Sequence, residues 1–575
     1  MRLSTREQRQ HKGEFNLRHW RVIPEGINVP ETGSILIWVI LTLGIVLRLV
    51  QYLAGTSLWL DELAVTHNIL GRSLWNLLLV PLSFDQVAPK GFLLAEKLSV
   101  STLGANDYIL RLFPLLCSVG ALLVFSYAAQ RVLDGVAAPV ALALFAAAAP
   151  LITYSSQVKP YSTDVFVSVM LLWLVLNFHP DAGEVSASRA VWAGALGGFA
   201  VWFSFPAVLV VCGFAVTLAM IGFHVRREIG TRQFVLLRRT VVLWSISATV
   251  ATTVNWLSLT PATSEYLHRF WAMGMLPSKP SWSFRVLWAW NRMKILRGAG
   301  ESAALGYPFP VFYLTLAAFG FWLLWRRWRS ISVFLLAPVC VTLVAAIFRQ
   351  YPFSDRPILF LLPSFFLAIA ASIERARQQV SLFSRLSGNL TVVALVIPAL
   401  YPVAITPPIY RIEDIKPVLS YVQERRREDD RIYVYYGAGP AITYYGINYG
   451  LRENDYMIGG CHRGDAQRYF QELDMFRGRV RLWVVLTHAL QWYRERDDIL
   501  NYLDTIGLRR DSFAVKSHTI SNWAGPAEVF LYDLSDPRRL SNAAATSFKL
   551  KGPYFPVLHF ACEEGPQAMV AGRGR

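Results

Sequence analysis

The chain has 575 residues, 54% of them hydrophobic and 17% charged, with 19 Trp. An average globular protein carries nearer a quarter charged residues, and apolar runs of about 18 or more residues recur here, so a soluble-domain reading is excluded. The formal net charge of +17 does not mark a nucleic-acid binder: the basic residues cluster in short connections between apolar runs, as the positive-inside rule expects, and no basic stripe with a recognition element occurs.

The head, residues 1–33, is polar and basic and is expected as a cytoplasmic tail. The first apolar run, "ILIWVILTLGIVLRLVQYLAG", is too long for a signal-peptide core and lacks a small-residue cleavage site, so it reads as a signal anchor. Eleven spans are expected, near 34–54, 109–130, 136–153, 161–178, 190–204, 206–223, 240–259, 307–325, 331–348, 357–373 and 389–406. An N-terminus inside puts the Arg-rich connections "HVRREIGTRQFVLLRR", "RRWR" and "ERARQQVSLFSR" inside as well, and leaves the C-terminus outside.

Two outside loops, 55–108 and 261–306, are too long for plain connectors. Trp and Leu at helical spacing, as in "SFRVLWAWNRMKIL", predict amphipathic helices lying in the interface. Such helices either cap the bundle or roof a site that opens to the outer leaflet. After Tyr410 the chain turns polar, and the β-type runs "RIYVYYG" (431–437), "RLWVVLTH" (481–488) and "VFLYDL" (529–534) alternate with helical stretches. That pattern predicts a small α/β domain over 411–575, with an irregular tail from 536. The fold class is therefore a polytopic α-helical membrane protein of about eleven transmembrane helices, with residues 34–410 as the membrane domain and a C-terminal extracytoplasmic α/β domain. Cys117, Cys212 and Cys340 lie in apolar runs and read as small buried hydrophobes. Cys461 and Cys562 are the only cysteines of the polar part; a disulfide between them and two unrelated thiols are both open.

The stretch "SLWLDELAVTHN" (57–68) places Asp61 and Glu62 at the exit of the first span, where carboxylates are costly unless paired, hydrated or used. Arg48, Asp85, Lys90, Arg111, Lys159, Asp164, Arg349, Asp355 and Arg356 are expected at the same membrane face. Singly, a span-end cation snorkels to the interface; together, these groups suit an anionic group carried on a lipid. A carboxylate can act as general base on a hydroxyl, and Arg or Lys can hold a phosphate. Neighbours on a helix diverge by roughly 100°, so Asp61 takes the base role. Glu62 then orients Asp61, binds the acceptor or pairs with a cation. Asp164 lies one turn from Tyr161 and faces the same way, either as a site carboxylate or as a first-turn acid favoured by the helix dipole.

In order, "LRLVQYLAGTSLWLDE" (47–62), "APKGFLLAEKLSVSTLGANDYILRLFPLLCSVGALLVF" (88–125), "YSSQVKPYSTDVF" (154–166), "SDRPILFLLPSFFLAIA" (354–370) and "DRIYVYYGAGPAITYY" (430–445) resemble segments of the lipid-linked glycosyltransferases of the multi-spanning class C fold. The bacterial relatives of the protein O-mannosyltransferases and of the lipid A aminoarabinose transferase are the branch resembled. The resemblance covers most of the chain. It implies Asp61 as catalytic base with Glu62 as companion, Asp164 as the second-loop acid, and Lys159, Arg356 and Arg111 at the donor phosphate. Tyr161 and Lys90 are added as substrate-binding candidates. It departs from the family pattern at Ala88-Pro89-Lys90, where His-Pro-Pro or a similar run is common, at Lys159, where Arg is common, and at Pro357, where Tyr is common.

The implied reaction is transfer of a sugar from a polyprenyl-phosphate donor to a protein, lipid or glycan acceptor, at a bacterial inner membrane and on its outer side. No cofactor is required by these residues; a divalent cation near Glu62 is the one option. Two other classes remain, a transporter or flippase of a polar lipid and an inactive envelope-assembly factor. Neither broken helices nor internal repeats, the marks of many transporters, are visible in the sequence.

Overall fold

The structure is a computed structural model that describes residues 31–177, 186–224, 232–277, 282–291, 305–405, 409–463, 465–489, 494–519 and 525–540. Most of the expected tails, 1–30 and 541–575, and with them Cys562, lie outside the described residues; Cys461 is disulfide-bonded.

The expected spans fall on helical residues, 136–153 on two separate helices, but fewer than eleven helices among the described residues meet the length and hydropathy a span needs. Six of these helices are long and apolar enough to cross a membrane, and a bent pair brings the number to seven. Tyr161–Asn177 and Ala207–Ile221 are shorter apolar helices. Large apolar side chains stay exposed along the first helix α1 (Glu31–Leu53) and the Arg232–Leu257 helix, Trp38 and Trp256 among them. A surface of that kind is unfavourable in water and suits lipid.

One expectation is corrected. The sequence shows no broken helix, yet Ala137–Ala146 and Ala149–Ser156 are bent by 55° to each other. Pro150, in the first turn of the second piece, cannot continue the first. The freed backbone is satisfied by Arg48, which does not snorkel. Fully buried in α1, it donates to Gly44 O at 2.9 Å, to Ala146 O at 3.2 Å and to Ser118 Oγ at 2.8 Å.

The loop 55–108 forms three helices, α2 (Leu60–Gly71), α3 (Leu74–Leu79) and α4 (Lys90–Leu103), before the long helix α5 (Asp107–Val132). The second long loop contains Pro261–Phe270 and Trp282–Asn291; its remainder, 292–304, is outside the described residues.

The C-terminal domain holds a five-stranded sheet in the order β2-β1-β3-β5-β4. Strands β1 (Arg431–Val434), β2 (Tyr456–Ile458) and β3 (Leu482–Leu486) are parallel; β4 (Leu508–Val515) and β5 (Ala527–Asp533) complete it antiparallel. One face packs Tyr433, Val484 and Phe530 against Phe470 and Leu503. The other, with Ile432, Val485 and Val529, shares one apolar core with Leu63 and Ile69 of α2 and Phe92 of α4. The α/β domain is thus built onto the 55–108 loop, and its position is set by burial as well as by polar bonds.

Those bonds gather the helix ends. Gln51 and Tyr410 exchange two hydrogen bonds, of 2.9 and 2.7 Å. Asp107 accepts from Tyr445 Oη at 2.7 Å and pairs with Lys416 at 2.6 Å. Asp414 accepts from the backbone N–H and the hydroxyl of Ser57 at 3.0 and 2.6 Å.

Candidate active site

The sequence 57–62 leaves α1 in extended form and enters α2 at Trp59, so the first turn of α2 presents Asp61 and Glu62 on different sides. Glu62 turns inward and is fully buried. Arg111, from the first turns of α5, grips it with two hydrogen bonds, Nε to Oε1 at 3.0 Å and NH2 to Oε2 at 2.7 Å. The same guanidinium donates to the carbonyls of Thr56 and Ser57 at 2.6 and 3.0 Å, and Glu62 Oε1 also accepts from Val158 N at 2.9 Å. Arg111, expected at the phosphate, is therefore spent on Glu62 and the 56–57 backbone. Of the three options for Glu62, pairing with a cation is the one observed. No group of three or more His, Cys, Asp or Glu that could hold a metal ion occurs among the described residues, and the place expected for a divalent cation is filled by the Arg111 guanidinium.

Asp61 points the other way and keeps a quarter of its side chain exposed. Its Oδ2 lies 2.6 Å from Arg356 NH1 and 3.9 Å from Lys159 Nζ. Burial alone would push the carboxyl up; the charges of Lys159 and Arg356 override it and hold it down at about 2. Lys159 is buried and donates to Gln86 Oε1 at 2.7 Å. Burial pulls its ammonium down to about 8, with Asp61 opposing the shift and Arg356 adding to it.

Arg356 opens a short 3-10 turn, Arg356–Leu361, that leads into the Leu362–Ser381 helix. Three rings surround its guanidinium, Trp59 and Tyr161 at 5.6 Å and Trp271 at 5.5 Å from centroid to Cζ. Each contributes to holding a cation whose desolvation is otherwise costly. Trp271 reaches the site because the segment after Pro261–Phe270 docks on the loop before Arg356: Phe353 N donates to Gly274 O at 2.8 Å, and a Cβ on Gly274 would lie 2.7 Å from Pro352 Cβ. Only glycine permits that approach.

Non-glycine residues with positive φ cluster in the segments that form the site: Phe84, Asp85, Asp355, Glu413 and His488. Conformations of this kind cost roughly 1–3 kcal/mol each and persist where surrounding contacts enforce them. Asp85 accepts from Thr263 Oγ1 at 3.1 Å, tying the two long loops together over Gln86.

Asp61, Lys159, Arg356 and Tyr161 are thus brought into one cluster. Asp164 is not part of that contact set; it is buried in the bundle, with Oδ1 lacking a hydrogen bond. Lys90 is buried at the start of α4 and makes no hydrogen bond or ion pair among the described residues. Sequence reasoning missed Trp59, Trp271, Gln86 and His488. His488 lies just past β3, and its charge bears on the Asp61 carboxyl. Its place just past the carboxyl end of a parallel strand was a usable signal, because ligands gather there in α/β sheets.

The cluster offers two cations, one carboxylate and three flat rings at the junction of the bundle and the α/β domain. Chemically, it suits an anionic group beside a hydroxylated one. No family model matches the chain, and no curated protein does. Among solved structures, the archaeal oligosaccharyltransferase AglB from Archaeoglobus fulgidus, in complex with an inhibitory peptide and a dolichol-phosphate, is similar at 11% identity and a TM-score of 0.46, over 88% of this chain and 74% of that one. ArnT from Cupriavidus metallidurans, bound to undecaprenyl phosphate, is similar at 12% identity and a TM-score of 0.43, over 87% of this chain and 98% of that one.

Proposed function

We propose that this chain is an integral-membrane glycosyltransferase that moves a sugar from a polyprenyl-phosphate donor to an acceptor on the outer side of a bacterial inner membrane. The observation that carries this reading is the Asp61–Arg356–Lys159 cluster at one end of the helical bundle. The lipid phosphate binds to Arg356 and Lys159, as charge and geometry favour. Trp59, Tyr161 and Trp271 flank the sugar. Asp61 accepts a hydrogen bond from the acceptor hydroxyl and aligns it with the anomeric carbon. Lys159 and Arg356 hold the carboxyl below the usual carboxylate range, so it stands ionised and ready to accept that bond. Glu62 and Arg111 position α2. Lys90 and Asp164 keep their expected places as substrate-side groups only if the bound sugar extends toward the start of α4 and the Tyr161–Asn177 helix.

The eleven expected spans alternate in direction if all cross, which brings the ends near 53, 107, 159, 260, 350 and 410 to the face that carries the α/β domain. That arrangement supports residues 411–575, and the active site with them, lying outside the cytoplasm. The test is the purified full chain in lipid nanodiscs with carbon-14-labelled undecaprenyl-phosphate glucose, mannose and galactose. Release or transfer of sugar is expected; intact donor throughout removes the transferase reading.

The bend at 146–149 favours a second reading, a lipid transporter with a broken span. The bend is lined by buried apolar residues, Leu144, Phe145, Leu151 and Ile152 among them, and the Arg48 guanidinium beside it is bonded to protein oxygens. Movement of unmodified donor between leaflets of proteoliposomes would establish it.

A further inference from the structure

The acceptor hydroxyl must lose a proton as it attacks, and the α/β domain presents a group that can take it. His488 Nδ1 lies 2.8 Å from Glu413 Oε1, and the two side chains are 14% and 3% exposed. A carboxylate on Nδ1 fixes the imidazole tautomer with its proton there and leaves Nε2 as the basic atom. Among the described residues Nε2 has no hydrogen-bond partner.

The pair is held firmly. Both residues have left-handed backbone, φ 51° at Glu413 and 56° at His488. Gly437 makes room for the turn at His488: a Cβ there would lie 2.7 Å from Thr487 O and 3.1 Å from His488 Cβ. Glu413 N donates to Ser517 Oγ at 3.1 Å. The flanking residues strap this segment to the start of α2: Ile412 packs on Trp59, and Asp414 takes both donors of Ser57. Trp59 is itself a wall of the Arg356 cage. Glu413 is in contact with His488, and Asp61 and Glu495 lie within electrostatic reach of it.

We propose that His488, held by Glu413, is the general base of the transfer. This rests on the glycosyltransferase reading above. The Nε2 lone pair takes the proton of the acceptor O–H as the acceptor oxygen bonds to the anomeric carbon. The bond from that carbon to the phosphate oxygen breaks, and polyprenyl phosphate leaves with its electron pair toward Arg356 and Lys159. The proton on Nε2 then passes to water, and the neutral imidazole is restored.

The test uses the full chain in nanodiscs, the same labelled undecaprenyl-phosphate sugars, and two acceptors, water and azide. Water must lose a proton to attack; azide has none to lose. His488→Gln is expected to slow sugar release by water about 10²–10⁴-fold, the usual range for a lost general base, while glycosyl azide forms at close to the wild-type rate. The azide reaction also shows that the variant is folded and binds donor. Glu413→Gln removes the carboxylate that fixes the imidazole tautomer, so the water reaction should slow in this variant too, with the azide reaction again spared. An equal loss with water and azide makes His488 structural and overturns the proposal, as does an unslowed water reaction. A wild-type chain that makes neither product overturns the glycosyltransferase reading itself, and this inference with it.

Discussion

Arg111 and Glu62 are joined fork to fork, at 3.0 and 2.7 Å, with side chains 4% and 1% exposed. The pair ties α5 to the first turn of α2, and through Val158 and the 56–57 carbonyls it fixes the three segments that frame Asp61. Removing one partner of a buried ion pair leaves the other charge uncompensated and costs about 3–5 kcal/mol. Arg111→Leu should therefore lower the melting temperature and yield of the purified chain. Undecaprenyl phosphate should bind the surviving protein with the wild-type constant. A weakened constant at unchanged stability would return Arg111 to the phosphate.

Asp61 holds Arg356 and Lys159, so on the function proposed above it competes with the lipid phosphate for them. Asp61→Asn should slow transfer by about a hundredfold or more, since misalignment of reacting groups costs that much. The same change should tighten binding of undecaprenyl phosphate, because both cations lose their internal partner. Tryptophan fluorescence quenching reads the binding, and weaker binding would place the phosphate elsewhere.

Lys159 gives the site a pH dependence. Its ammonium is held down at about 8, mainly by burial, whereas in the unfolded chain it titrates near the usual lysine value of about 10.4. Between these two values the unfolded chain binds more protons, so this group makes folding more favourable as pH rises from about 8 to about 10. Phosphate binding moves oppositely, since it needs the charged form, and affinity should fall as pH passes about 8. In Lys159→Arg that fall should vanish. A wild-type affinity that is flat to pH 9.5 would count against this placement of the phosphate.

Trp271 comes from a loop and closes the cage on Arg356. Loss of one cation–π contact is worth about 0.5–2 kcal/mol. Trp271→Ala should therefore weaken binding of undecaprenyl phosphate about two- to thirtyfold, while Trp256→Ala, exposed on the apolar belt, should leave it unchanged.

The helices were legible because a long apolar run has few alternatives to a helix in lipid. Strands β1, β3 and β5 were legible as apolar runs. Strand β2 is three residues long and sits among turn-forming residues, and β4, "LRRDSFAV", is an edge strand exposed along much of one side; neither has the periodicity that identifies a strand. Asp61, Lys159 and Arg356 could be singled out because acids and bases collect at one membrane face and the segments that carry them resemble a known family. That Glu62 and Arg111 would face each other could not, since a one-residue step on α2 decides between pocket and interior. Trp271 and Glu413 are ordinary loop residues in sequence, and long-range packing alone places the first over Arg356 and the second on His488.

The bonds between Ser57 and Asp414 join residues 357 positions apart, and those between Tyr445 and Asp107 span 338. A ribosome making this chain places Asp61 in the membrane long before the segment that straps it exists. The strap on the start of α2 is therefore the last part of the site to be made, and it closes only once the α/β domain has folded onto α2 and α4. On the function proposed above, chains that stall or are cut short before residue 488 should be inert.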